Sequence, residues 1–128
     1  MTDDRGQALV LAVLALGIAA AAIVGLRAAQ DRILLDAHER RAGEAAVEAA
    51  GAAVADALLG FTGSLDAFVA DPLVAERARA AADELSAMNG GGPVHDLTIS
   101  PGTRDLDVGL SMGAHRQRVS IEMPCCRR

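Results

Sequence analysis

The side chains that could support chemistry in this chain are few and lie far apart. His38, His95 and His115 are the three histidines, and the two cysteines, Cys125 and Cys126, are neighbours. Zinc-binding cysteines usually have roughly two to four residues between them, so an adjacent pair lacks that spacing. A zinc site would need His95 or His115 beside the cysteines, and three solvated histidines near turns are the simpler interpretation. The cysteine pair could form a disulfide, bond a partner chain or remain as two free thiols.

A set of carboxylates near the C-terminal end is the second candidate for chemistry. Asp105 and Asp107 alternate with apolar residues, so both would point to one face of a strand. Together with Asp96 they could hold a cation through oxygen ligands. The favoured interpretation is a solvated strand face, on which they pair across strands with Arg116 or Arg118.

The sequence contains no motif for catalysis or nucleic-acid binding. No serine sits in a nucleophile elbow. Gly90-Gly91-Gly92 precedes Pro93 and not the Lys-Ser/Thr of a phosphate-binding loop, which favours a flexible joint. The formal net charge is −5, and no basic stripe is interleaved with aromatic rings. We therefore expect no enzyme activity, no cofactor, no metal, no small-molecule substrate and no nucleic-acid partner.

An apolar segment near the N-terminus is the clearest structural signal. No charged residue occurs from Gly6 to Leu26. As a helix, Ala8 to Leu26 would measure about 28 Å, close to the hydrocarbon thickness of a bilayer. Apolar residues surround this helix on all sides, which predicts a spanning helix and not an interfacial one. A signal peptide cleaved around Ala19 to Ala22 and a buried soluble helix are the alternatives.

These features predict a single-pass protein of the cell (inner or cytoplasmic) membrane. Residues 1–6 would form a short cytoplasmic leader and residues 7–26 the transmembrane helix. Residues 27–60 contain no proline and repeat apolar positions at helical spacing, so we expect the helix to continue outside the membrane. Residues 61–128 would form a small extracytoplasmic α+β domain.

A second helix is expected at the start of this domain. Glycine, threonine and serine between Gly60 and Ser64 interrupt the long helix. Asp71-Pro72 has the residue types of a helix N-cap and first helical position, and Asn89-Gly90 would end the helix. The residues expected to face inward are Leu73, Ala80, Ala81, Leu85 and Met88.

Three segments with a period of two predict strands after the second helix. Their apolar residues are Leu97 and Ile99 in the first, Leu106, Val108, Leu110 and Met112 in the second, and Val119, Ile121 and Met123 in the third. Strict alternation indicates one buried and one solvated face. With turns at Pro101-Gly102 and Gly113-Ala114, we expect a three-stranded antiparallel sheet covered by the long helix.

Two segments and one junction match a known pattern. Arg5 to Val10 (RGQALV) precedes the apolar segment, Arg40 to Ala50 (RRAGEAAVEAA) is rich in alanine, and Asn89-Gly90 leads into strands. This layout resembles the TadE/TadG-like, pilin-like group of Tad/Flp pilus-assembly proteins. The resemblance implies a minor subunit or assembly component of a Tad/Flp-type pilus or related secretion machine. The implied partners are the lipid bilayer and other pilin-like or pilus-assembly proteins, contacted through the N-terminal helix.

The resemblance also implies a candidate processing site. In this family a prepilin peptidase can cut after the glycine that precedes the apolar segment, which here lies between Gly6 and Gln7. The family usually has an acid five residues after the cut, where this chain has Leu11. Without that carboxylate a new amino terminus would be costly in lipid. A component that keeps its anchor therefore fits better than a major pilin, and cleavage itself stays open.

A different class of function also fits the sequence. The chain could be a bitopic membrane protein whose small extracytoplasmic domain binds or regulates a partner unrelated to pili. A neighbouring gene for a secretion ATPase or a prepilin peptidase would favour the pilus interpretation over this one.

Overall fold

The computed structural model describes residues 3–123 of the chain. These residues form α1 (Asp3–Gly60), α2 (Leu65–Val69), α3 (Pro72–Met88), β1 (His95–Pro101), β2 (Asp105–Met112) and β3 (His115–Glu122). The expected α+β class is confirmed, with a long N-terminal helix, further helices and a small antiparallel sheet. The chain divides into two compact units, Met1–Asp36 and Ala37–Arg128, and α1 continues from the first into the second.

The first unit is the apolar part of α1. Residues 6–36 are exposed all round the helix, including large side chains such as Leu16, which is 74% exposed. Alanine and leucine favour the helical conformation, so no tertiary contact is needed to explain it. By length and composition this helix could cross a membrane. The domain boundaries expected at residues 6, 26 and 60 stay predictions.

The second unit contains the three-stranded antiparallel sheet, with strand order β1-β2-β3. All four apolar residues of β2 are buried. Val108 lies opposite Ile99 of β1 and Val119 of β3, so the apolar residues of all three strands share one face. The predicted succession of strands and its buried face are confirmed.

The second half of α1 covers this sheet with small residues. Ala42, Ala46 and Ala50, spaced by four, are fully buried. At Gly51 an added Cβ would lie only 2.8 Å from Cγ1 of Val119. The helix backbone therefore approaches β3 more closely than a larger side chain would allow, and the expected cover of the sheet by the long helix is confirmed.

α3 begins and ends where the sequence predicts, but it buries a different face. Asp71 accepts a hydrogen bond from the backbone N–H of Leu73 at 2.9 Å, and Pro72 is the first helical residue. The buried residues are Val74, Ala78, Ala82 and Ser86. Of the residues predicted to face inward, Leu73, Ala80 and Met88 are exposed, while Ala81 and Leu85 are half-buried. The prediction is therefore wrong for three of its five residues, because α3 turns toward the core the row that runs from Val74 to Ser86 in steps of four.

The connection from α1 to α3 contains a short helix, α2, which the sequence pattern did not predict. The Ser64 hydroxyl caps it by accepting a hydrogen bond from the N–H of Ala67 at 3.3 Å. Phe68 of this helix is fully buried and meets Phe61 edge to face, with ring centroids 5.1 Å apart. The interruption after Gly60 is confirmed, and the two rings fill the core where the helices meet.

The three glycines after α3 are held by hydrogen bonds to the end of α3, so the prediction of a flexible joint is wrong. Gly90 has a φ of 73° and its N–H donates to the carbonyl of Ala87 at 3.0 Å, while the Gly91 N–H donates to the carbonyl of Ser86 at 2.8 Å. These two bonds form a Schellman cap. The Ser86 hydroxyl donates to the carbonyl of Gly92 at 2.7 Å. Composition alone does not reveal these hydrogen bonds.

Candidate functional site

The polar face of the sheet does not assemble a cation site. Each carboxylate considered for such a site has its own polar partner: Asp107 with Arg118 (3.7 Å), Asp105 with Ser120 (2.6 Å) and Asp96 with Ser111 (2.9 Å). Within residues 3–123 no three His, Cys, Asp or Glu side chains are grouped so that they could hold a metal ion. The cross-strand pair of Asp107 and Arg118 is the pairing that the sequence predicted.

The histidines are not brought to one place. His95 lies opposite Ser111 and His115 lies opposite Met112, and these two neighbours on β2 point to opposite faces of the sheet. His38 belongs to α1. The structure therefore offers no shared histidine site in the described part of the chain.

The candidate processing site lies in the helical start of α1. Gly6 and Gln7 are exposed, and no atom lies within 4 Å of a Cβ added to Gly6. Leu11, at the position of the family's acid, is 64% exposed. Cleavage between Gly6 and Gln7 stays a prediction. Cys125 and Cys126 lie outside the described residues, so a disulfide between them also stays a prediction.

Polar contacts that sequence reasoning missed join α3 to the start of the sheet. Asp83 accepts a hydrogen bond from the N–H of Val94 at 2.8 Å, and Arg79 donates to the carbonyl of Val94 at 3.5 Å. Ser86, the buried polar side chain of this region, donates to Gly92. The spacing of four between Arg79 and Asp83 was the available signal. These hydrogen bonds go to the chain's own backbone, so they hold the start of the sheet against α3.

Two exposed helical surfaces remain as candidate functional sites. One is the apolar segment of α1, residues 6–26, all of it exposed. The other is a row along α3, here called the α3 stripe, which consists of Leu73, Arg77, Ala80, Glu84 and Met88. Leu73 is 59% exposed and Met88 is 74% exposed. The α3 stripe combines exposed apolar side chains with one charge of each sign, so a surface with the complementary pattern could pair with it.

Comparison with protein-family models, with curated proteins and with solved structures finds no match to this chain. The resemblance to the Tad/Flp group rests on the quoted segments alone.

Proposed function

We propose that this chain is a membrane-anchored, non-catalytic, pilin-like minor subunit or assembly component of a Tad/Flp-type pilus or related secretion machine. The observation that carries this proposal is α1, a single helix from Asp3 to Gly60. Its apolar segment is exposed, whereas its alanine-rich continuation is packed on an antiparallel sheet. The start of this helix therefore suits an apolar environment, while its end is part of a folded domain.

Exposed apolar side chains explain why the first part of α1 needs a bilayer. Leu9, Leu16 and Ile23 are each more than half exposed. Moving such a side chain out of water contributes about 1.5–3 kcal/mol. Lipid supplies this environment for a helix whose apolar residues lie on every side, while a one-sided protein contact does not.

The same segment also suits contacts with other membrane helices. Gly17 and Gly25 have no atom within 4 Å of an added Cβ, so their surfaces are open. Small residues allow helix backbones to approach closely in lipid, where packing and not hydrophobicity drives association. In this proposal residues 1–6 lie in the cytoplasm, and the sheet domain lies on the other side of the membrane.

The proposal is tested in the cells from which the chain comes. Deleting its gene should abolish surface filaments or the associated secretion, and the full chain should restore them. A chain that starts at Arg27 serves as the matched control and should not restore them, because it lacks the apolar segment. If the deletion leaves filaments and secretion unchanged, the pilus proposal fails and the bitopic regulatory protein is the better description.

A further inference from the structure

We propose that the α3 stripe docks a second copy of this chain, and that it contacts α1 of that copy. The contacted row, here called the α1 stripe, consists of Ala37, Arg41, Ala45, Glu48 and Ala52. Its two charged residues and Ala52 are exposed, and its other two alanines are half-buried. The inference names a partner for the proposed function and rests on it, since both copies are taken to be anchored in one membrane.

The two stripes match residue by residue when the helices run antiparallel. Successive residues of the α3 stripe, taken forward along the chain, are four, three, four and four positions apart. Successive residues of the α1 stripe, taken backward along the chain, have the same spacing. The facing pairs are Leu73 with Ala52, Arg77 with Glu48, Ala80 with Ala45, Glu84 with Arg41, and Met88 with Ala37. Each large apolar side chain meets an alanine and each charge meets an opposite charge. Antiparallel helices pack through rows of this spacing.

The charged residues of the two stripes are available for such contacts. Within residues 3–123, Arg77, Glu84, Arg41 and Glu48 form no ion pair in their own chain, and the Asp107–Arg118 pair lies on the sheet. One pair has its arginine on α3 (Arg77 with Glu48) and the other has its arginine on α1 (Glu84 with Arg41), so together the two pairs fix the direction and the register of the contact. A parallel arrangement or a shift by one helical turn would lose them.

The directions of the helices within one copy favour this arrangement. Phe61, just after α1, contacts Phe68, just before α3. Gly91, just after α3, lies against Ala42 near the start of the packed part of α1. The packed part of α1 and α3 therefore run in opposite directions. Copies that stand side by side in the same orientation then present α3 antiparallel to the neighbour's α1.

A two-fold contact of α3 with α3 is the competing arrangement. It would also pair opposite charges, Arg77 with Glu84, and would place Leu73 against Met88. Its two-fold axis, however, reverses one copy relative to the other. The Ala37 ends of α1 in the two copies would then face opposite ways, whereas the proposed function anchors both copies in one membrane. The contact of α3 with α1 has no such conflict and can continue from copy to copy as a row.

Disulfide cross-linking of the full chain in its own membranes tests the proposal. Cys125 and Cys126 are replaced by serine, and chains carrying Ala80→Cys or Ala45→Cys are produced together and oxidised. We expect a dimer that joins one chain of each kind, and a ladder of larger species when one chain carries both cysteines. Ala75→Cys, which is exposed on another side of α3, should give no product with Ala45→Cys.

A second pair of positions guards against a folding defect in the first. Leu73→Cys and Ala52→Cys, both at exposed positions, should also cross-link. If neither pair gives a cross-linked product, the proposal is overturned. A dimer formed by the Ala80→Cys chain alone overturns it in favour of the two-fold contact. The membranes are washed with alkaline carbonate first. A retained chain without cross-links refutes only the docking, whereas a chain released by the wash refutes the membrane anchor.

Charge reversal tests the register. Arg77→Glu should lower the yield of the Ala80–Ala45 cross-link by about two- to fivefold, the effect expected for an exposed ion pair. Glu48→Arg in the partner chain should restore the yield. If the yield of the cross-link is restored by Glu84→Arg and not by Glu48→Arg, the proposed register is contradicted.

Discussion

Replacing each of the consecutive glycines Gly90, Gly91 and Gly92 by alanine should change the stability of the second unit in three different ways. The three substitutions are chemically identical and lie side by side, so each is a control for the others. A Cβ added at Gly91 would lie 2.5 Å from Oγ of Ser86 and 2.6 Å from Cβ of Ala42. Both distances are shorter than real Cβ contacts, and Ala42 cannot move without its helix.

The expected magnitudes follow from these surroundings. Overpacking at Gly91 costs about 1–3 kcal/mol, and displacing the Ser86 hydroxyl from its bond to Gly92 adds about 1–3 kcal/mol. At Gly90, where an added Cβ meets nothing but φ is 73°, the left-handed backbone costs alanine about 1–2 kcal/mol. At Gly92, where φ is not positive and the space is open, the change should stay within about 1 kcal/mol of zero.

The assay is urea unfolding of the full chain in detergent micelles, followed by far-ultraviolet circular dichroism. The midpoint should fall most for Gly91→Ala, less for Gly90→Ala and little for Gly92→Ala. If Gly91→Ala is as stable as Gly92→Ala, the close packing of this connection against α1 is wrong. A loss at Gly90→Ala alone would instead mean that only the helix cap matters and that the rest of the connection is free to move.

Three further predictions address the sheet, the anchor and the candidate processing site. Val108→Asp should destabilise the second unit by about 4 kcal/mol because it buries an unpaired charge, while Asp107→Asn should cost under about 1 kcal/mol; equal effects in urea unfolding would contradict the half-buried strand. The full chain should stay with membranes through an alkaline carbonate wash, and a chain that starts at Arg27 should be soluble; release of the full chain would contradict a spanning helix. If a peptidase cuts after Gly6, the chain isolated from its own membranes should have the mass of a chain that starts at Gln7, and Gly6→Val should restore the uncut mass; an N-terminus between residues 20 and 26 would show a secretory signal peptide.

The sequence by itself determined the features that depend on local chemistry. Period-two alternation in Asp105–Met112 identified a half-buried strand, because side chains of a strand point alternately to its two faces. Asp71-Pro72 identified the start of α3 and Asn89-Gly90 its end, because capping depends on the residues at the helix ends themselves. The uncharged segment from Gly6 to Leu26 needed only its length and composition to predict a helix that could span a membrane.

Only the tertiary structure decided which surfaces are buried. Leu73 and Met88 are two of the largest apolar residues of α3 and are exposed, while Ala78, Ala82 and Ser86 are buried. The reason is that burial depends on which neighbours surround a helix face, and these neighbours are distant in sequence: Ser86 lies against Met112 of β2. The same holds for the connection that follows α3. From the sequence, its three glycines suggest a flexible connection. In the structure, Ser86 of α3 and Ala42 of α1 leave Gly91 no room for a side chain.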